Sequence, residues 1–140
     1  MDSLAPHRDY LYAEWRAAQA SPLSARKAML VAALVDAYVD RLFTADPEAE
    51  DILQFRTGMG QRSEALRLVM ALCGQRDGTS LVTEAVAVPI ADYGSLAVED
   101  FMVSLYNDHS IQRLRLVTAD GARSDMMAVL DAAMAGLDRL

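Results

Sequence analysis

The polar residues with the clearest chemical potential lie close together near position 110. Asp108, His109 and Ser110 are consecutive, and Arg113 and Arg115 follow two residues apart. A histidine beside a carboxylate can act as a general base. Two arginines at i and i+2 of a strand point the same way and can grip one anion. This segment is therefore the candidate for a catalytic or anion-binding site.

A structural interpretation of the same segment competes with the functional one. Adjacent residues of a turn point in different directions, so Asp108 beside His109 does not make an oriented dyad, and we expect the turn to be solvated. The two arginines can instead pair with acidic residues of neighbouring strands, which are Glu84, Glu99 and Asp100. We favour this interpretation and assign no catalytic residue. The ligand site of the alternative hypothesis consists of His109, Arg113, Arg115 and Tyr106.

Three further polar features favour structural roles. Asp36 and Asp40 lie one helical turn apart, but two carboxylates are too few for a hard cation, so we predict a solvated stripe. The glycine-rich start at 58–63 lacks the preceding strand and the Lys-Ser/Thr ending of a phosphate-binding loop. Cys73 falls on an apolar helical arc without a nearby base, which indicates core filling. The sequence thus predicts neither a metal site nor a cofactor.

Composition excludes several classes of partner. The 140 residues carry a net charge of −7 and a single lysine, which argues against nucleic acid and against acidic membrane surfaces. One cysteine allows neither an intramolecular disulfide nor a paired-cysteine zinc site. The N-terminus has no apolar signal core, and the longest apolar stretch, 28–39, is too short to span a bilayer. We therefore expect a cytoplasmic protein.

The N-terminal half has the apolar spacing of helices. We predict four of them, over about residues 6–20, 22–43, 46–56 and 61–73. Ser21-Pro22 and Asp46-Pro47 supply the start signals of the second and third. Gly58-Met59-Gly60 is expected to end the third helix.

The C-terminal half, beyond a linker at about 74–79, changes to a strand pattern. We predict strands at 81–88, 101–106 and 111–118, the last two joined by the turn 107–110 as an antiparallel hairpin. Residues 95–100 stay open between helix, turn and strand, because Val98, Phe101, Met102 and Leu105 also match a helical face.

A closing helix completes the predicted C-terminal half. Ser124 is its expected cap. Met126, Met127 and Met134 form one stripe along this helix. A methionine stripe can form a groove for a partner, but we favour core, because the hairpin needs a covering helix.

These elements predict an α+β fold in a single domain over 1–140. A helical lobe, about 6–74, packs with a small antiparallel sheet and its covering helix, about 80–140. Surplus apolar surface, including Met102, Tyr106 and Val117 on the second sheet face, predicts a homodimer. We expect a non-catalytic, cytoplasmic protein-interaction or assembly domain. The alternative is a small-molecule-binding protein or enzyme acting on an anionic ligand through His109, Arg113 and Arg115, so enzymatic activity stays an open question.

Overall fold

A computed structural model of the chain describes residues 4–74 and 78–139. The N-terminal half consists of the helices α1 (Ala5–Gln19), α2 (Ala25–Ala45), α3 (Ile52–Arg62) and α4 (Glu64–Cys73). The C-terminal half contains β1 (Ser80–Ala87), a 3-10 helix (Ile90–Ser95), α5 (Val98–Tyr106), β2 (Ser110–Val117), β3 (Arg123–Asp125) and α6 (Met126–Asp138). Residues 75–77 of the predicted linker lie outside the described residues.

The predicted α+β class is confirmed. The three strands form an antiparallel sheet in the order β1-β2-β3. Helix α6 packs against this sheet on one side and against α2 and α4 on the other. It is therefore the middle layer between the helical lobe and the sheet.

One hydrophobic core runs through these layers. It joins Leu11 and Trp15 of α1, Leu66 of α4, Leu116 of β2 and Leu130 of α6. The predicted core role of the methionine stripe is confirmed, because Met126 and Met134 are buried and Met127 packs against the core. Burying one large apolar side chain stabilises the fold by roughly 1.5–3 kcal/mol, so this continuous cluster is the main source of stability.

Three helix starts lie later in the chain than predicted, and that of α4 is at Glu64 in place of about residue 61. Helix α2 begins at Ala25 because Ser24 accepts a hydrogen bond from the Lys27 amide at 3.2 Å, while Ser21 belongs to the preceding turn. Helix α3 begins at Ile52, because the Asp51 carboxylate accepts from the Leu53 amide at 2.8 Å. The predicted cap, Asp46, bonds instead to the Glu48 amide within a local turn. For α2 and α3 the cap is the acceptor directly before the first helical residue.

The predicted end of the third helix at its glycines is also wrong. Gly58 and Gly60 lie inside α3, which continues to Arg62. A Cβ atom at Gly60 would lie 3.1 Å from the Arg67 Cβ atom of α4. The absence of a side chain at Gly60 thus allows α3 and α4 to approach closely, with only Ser63 between them.

The segment 101–106 is helical and does not form the predicted strand. Helix α5 begins at Val98, and the Phe101 amide donates to the Ala97 carbonyl at 2.9 Å. Its side chains follow a helical pattern in which Ser104 is fully buried against the fold. The predicted hairpin is therefore absent, and β1 pairs directly with β2 from Ser80↔Val117 to Ala87↔Ser110.

The third strand lies where the sequence pattern predicts the cap of the closing helix, Ser124. Arg123–Asp125 pairs with β2 as a short edge strand. A strand of three residues is too short for a residue pattern to reveal. The cap of α6 is Asp125 and not Ser124, because the Asp125 carboxylate accepts from the Ala128 amide at 3.1 Å.

Candidate functional site

His109 connects α5 to β2 in a constrained backbone. Asp108 and His109 both have left-handed φ angles, of 53° and 60°. The His109 amide donates to the Ser104 carbonyl at 2.8 Å, and its carbonyl accepts from the Val88 amide at 2.6 Å. These bonds fix the direction in which the chain enters β2. The backbone of His109 therefore has a structural role.

The His109 imidazole faces Tyr93, a residue that the sequence analysis did not single out. The Tyr93 hydroxyl and His109 Nδ1 share a hydrogen bond, and their ring centroids are 5.6 Å apart. The Tyr93 ring also packs edge-on against Phe101 at 5.4 Å. Among the described residues, no carboxylate bonds to this imidazole, so the structure shows no acid–histidine dyad here. The Tyr93–His109 contact spans 16 positions, which no local pattern predicts.

The two candidate arginines are each held by carboxylates. Arg113 bonds to Asp100 of α5 at 3.0 Å. Arg115 bonds to Glu84 of β1 at 3.2 Å and lies 4.0 Å from Asp125. Glu84 and Asp100 are thus the partners that the structural interpretation proposed for this pair of arginines.

This cluster leaves little charge for an anion. Glu84 also binds Arg123 of β3, so the charges of the sheet face largely cancel. Tyr106 is 83 % exposed, and no hydrogen bond among the described residues links it to His109, Arg113 or Arg115. Both arginines of the alternative site thus have carboxylate partners of their own.

An ion cluster that the sequence analysis did not predict joins α2 to α3. Arg56 binds Asp36 through one guanidinium nitrogen and Asp40 through the other, the latter at 2.7 Å. Burial by itself lowers the pKa of Arg56, but hydrogen bonds and charge from Asp36 and Asp40 outweigh burial and raise the pKa. Asp36 and Asp40 are therefore partners of an arginine and not a purely solvated stripe. Arg56 lies 20 residues from Asp36 and 16 from Asp40, beyond any helical spacing rule.

A groove of about 840 Å³ lies beside this cluster, between α2, α3 and α4. Its apolar lining includes Ile52, Leu53 and Met70, and its charged groups are largely paired with one another. Cys73 also lines it, and burial, followed by the charge of Asp36, raises the pKa of its thiol to about 11. A thiol with so high a pKa is mostly protonated at neutral pH and is a poor nucleophile.

No cation site accompanies these carboxylates. In residues 4–74 and 78–139, no group of three or more His, Cys, Asp and Glu side chains is placed to hold a metal ion. Within the same residues, no helix combines the length and apolarity needed to cross a bilayer.

Exposed large apolar side chains of the described residues are concentrated on α5. Val98, Met102, Leu105 and Tyr106 occupy adjoining positions on the outer side of this helix and form what we call the α5 stripe. Val98 is 78 % exposed and Tyr106 is 83 % exposed. The opposite side of α5 carries the buried Ser104. Met102 and Tyr106 thus lie on this helix and not on a second sheet face, where the sequence pattern predicts them.

Comparisons with models of known protein families, with curated proteins and with solved structures found no match to this chain.

Proposed function

We propose that this chain is a non-catalytic protein-interaction or assembly domain whose docking surface is the α5 stripe. The observation that supports this most directly is the concentration of exposed apolar side chains. Of the ten large hydrophobic residues exposed in the described part of the chain, five lie within the nine residues of α5. Singly scattered apolar residues need no explanation, but a contiguous patch marks an interaction surface.

The energetic argument favours burial of the stripe in a complex. Full burial of one such side chain contributes roughly 1.5–3 kcal/mol relative to exposure. Helix α5 is short and charged only at Glu99 and Asp100, so it gains little from solvation. A partner that covers the stripe therefore buries several apolar side chains of one helix at the same time.

The catalytic alternative has weaker support. Arg113 and Arg115 are neutralised by carboxylates, and His109 faces a tyrosine and not an acid. Burial raises the pKa of the Cys73 thiol to about 11, which disfavours the nucleophilic thiolate. An interaction domain is thus the function that these side chains favour, and the single cysteine is the reason that we place it in the cytoplasm.

An affinity experiment with matched variants tests the proposal. Native lysate is passed over the immobilised wild-type chain, over Met102→Glu and over Leu53→Glu, a control on α3 whose side chain is 62 % exposed. We expect a lysate protein to bind both the wild-type chain and the Leu53→Glu control, and not to bind the Met102→Glu variant. Retention patterns that do not differ between the two variants contradict the proposal, and so does enrichment of a small molecule in place of a protein.

We also propose that the domain assembles as a homodimer through the free edge of β1. The Val88 amide donates to His109 directly across the β1–β2 ladder, so even-numbered positions of β1 bond to β2. Odd-numbered positions alternate with them and direct their amide and carbonyl groups away from β2. Among the described strands, none pairs with this edge. Leu81, Thr83 and Ala85 therefore offer hydrogen bonds that a second β1 can satisfy.

Light scattering coupled to gel filtration tests the dimer. We expect about twice the chain mass of 15.3 kDa, and a monomer-sized mass for Thr83→Pro, which removes an outward amide. Ala85→Lys, which adds charge at the same edge without changing the backbone, is expected to act in the same direction. A wild-type mass near that of one chain, or a dimer unaffected by both variants, contradicts assembly through β1.

A further inference from the structure

The sequence around the α5 stripe is acidic over a long distance. Between Arg76 and Arg113 the chain contains no lysine or arginine and six acidic residues. Four of the six follow β1, and in the described part of the chain only Asp100 among these four has an ion-pair partner, Arg113. In the described residues, no ion pair neutralises Asp92, Glu99 or Asp108.

The unpaired carboxylates lie next to the apolar stripe. Glu99 is exposed and follows Val98 directly on α5, while Asp108 is exposed and lies two residues beyond Tyr106. The C-terminal end of a helix also carries a partial negative charge. The stripe is therefore apolar along its length and negative at its flank and at its C-terminal end.

We propose that the occupant of the α5 stripe is a basic amphipathic helix of a partner protein. This inference rests on the proposed docking function and adds the chemical class of the partner. Such a helix presents apolar side chains at i, i+3, i+4 and i+7 toward the stripe, and lysine or arginine side chains beside this apolar face pair with Glu99 and Asp108.

Charge separates this occupant from the two main rivals. A second copy of the chain brings the same unpaired carboxylates to the interface, and like charges in apposition disfavour that complex. A membrane surface rich in anionic lipid is repelled for the same reason. A basic helix alone satisfies both the apolar stripe and the negative charges around it.

The size of the surface sets the expected strength. The nine residues of α5 cover about 13 Å at a rise of 1.5 Å per residue, which matches two to three turns of a partner helix. An interface of this kind falls at the small end of specific complexes, where association is weak and reversible. We expect micromolar dissociation constants, and affinity that falls as salt screens the carboxylates.

Titration of the full chain with designed helical peptides tests the inference. The probe is an amphipathic peptide of leucine and lysine about 14 residues long, and two control peptides carry glutamate or serine in place of lysine. Amide chemical shifts of the ¹⁵N-labelled chain report where each peptide binds. We expect the lysine peptide to shift α5 amides at micromolar concentrations and the glutamate peptide to leave them unchanged.

Three variants locate the contact. Met102→Glu is expected to weaken binding of the lysine peptide at least tenfold, and Glu99→Lys several-fold. Leu53→Glu, on the distant helix α3, is expected to leave it unchanged. Lysine-peptide binding that is equal in all three variants overturns the inference, because it reports only attraction to an acidic protein.

Other outcomes separate this inference from the proposed docking function. If the serine peptide binds the stripe as tightly as the lysine peptide, docking holds and the basic partner is refuted. If α5 amides instead shift with the concentration of the chain itself, a second copy covers the stripe and the inference fails. Binding of vesicles of anionic phospholipid that Met102→Glu abolishes assigns the stripe to a membrane. If no peptide shifts the α5 amides, both the docking function of the α5 stripe and its basic helical partner are refuted.

Discussion

The ion cluster of Arg56 allows a quantitative test of how α3 is fixed to α2. We consider Arg56→Met, which keeps most of the aliphatic length and removes the charge. Two unit charges about 4 Å apart near a protein surface attract by roughly 4 kcal/mol at an effective dielectric constant of about 20. Desolvation and side-chain ordering offset most of this gain, so that exposed pairs contribute only about 0.2–1 kcal/mol.

Burial predicts which half of the cluster is stronger. The side chains of Arg56 and Asp36 are 23 % and 27 % exposed, whereas Asp40 is 51 % exposed. We therefore expect a coupling energy of about 1–1.5 kcal/mol for Arg56 with Asp36, and about 0.5 kcal/mol for Arg56 with Asp40. Removal of Arg56 also leaves two aspartates one turn apart, which costs a few tenths of a kcal/mol more. Arg56→Met should thus lower the free energy of unfolding by about 2 kcal/mol.

Double-mutant cycles with Asp36→Asn and Asp40→Asn measure these couplings. Urea unfolding is followed by the fluorescence of Trp15, which is buried in the core, and by far-ultraviolet circular dichroism. In about 1 M salt, the coupling with Asp40 should decrease more than the coupling with Asp36, because exposed pairs are screened more strongly. A coupling with Asp36 below about 0.3 kcal/mol, or one smaller than that with Asp40, would refute this account of the cluster.

Three further predictions follow from the fold. Burial raises the pKa of the Cys73 thiol from 9.0 to about 11. At pH 8 this thiol should react with iodoacetamide about 100-fold more slowly in the folded chain than in the urea-unfolded chain, because the rate follows the thiolate fraction. Equal rates in the folded and unfolded chains contradict this prediction. Asp51→Ala should lower stability by about 1 kcal/mol and Asp46→Ala by less, measured by urea unfolding, since Asp51 caps α3; the opposite order would restore Asp46 as the cap. The two lobes share α6 and one core, so calorimetry should show one thermal transition, and two resolved transitions would disprove this.

Some of the fold follows from residue patterns alone. Apolar residues recur at helical spacing on the buried side of α2 and on the methionine side of α6. A long pattern of this kind is compatible with few structures other than an amphipathic helix. Strands β1 and β2 were recognisable because their β-branched and alternating residues occupy eight positions each. Periodicity over several turns or several alternations thus specifies an element without knowledge of its neighbours.

Helix starts were harder to predict, because several acceptors compete for each one. Ser21 and Asp46 stand before prolines and satisfy the general rule, yet Ser24 and Asp51 lie directly before the first helical residue and cap the helices. Which of two acceptors wins depends on where the helix packs against its neighbours. Tertiary contact decides this choice, and the local sequence does not contain it.

The candidate site shows the same division. The pairing of Arg113 and Arg115 with acidic residues could be predicted, because like-facing strand residues need neutralising neighbours. The partners Arg56 and Tyr93 could not, since both contacts join positions at least 16 residues apart. Contacts of this kind exist only after the chain has folded.

Helix α5 explains both the error in the predicted topology and the proposed function. Its residues are apolar on nearly all sides, so the alternation of a strand and the spacing of a helix fit the same letters. A helix that is apolar all round is normally buried all round. In this chain the fold buries the side with Ser104 and leaves Val98 and Tyr106 exposed. The sequence of α5 therefore suits a helix covered on both sides, and we propose that a partner protein supplies the second cover.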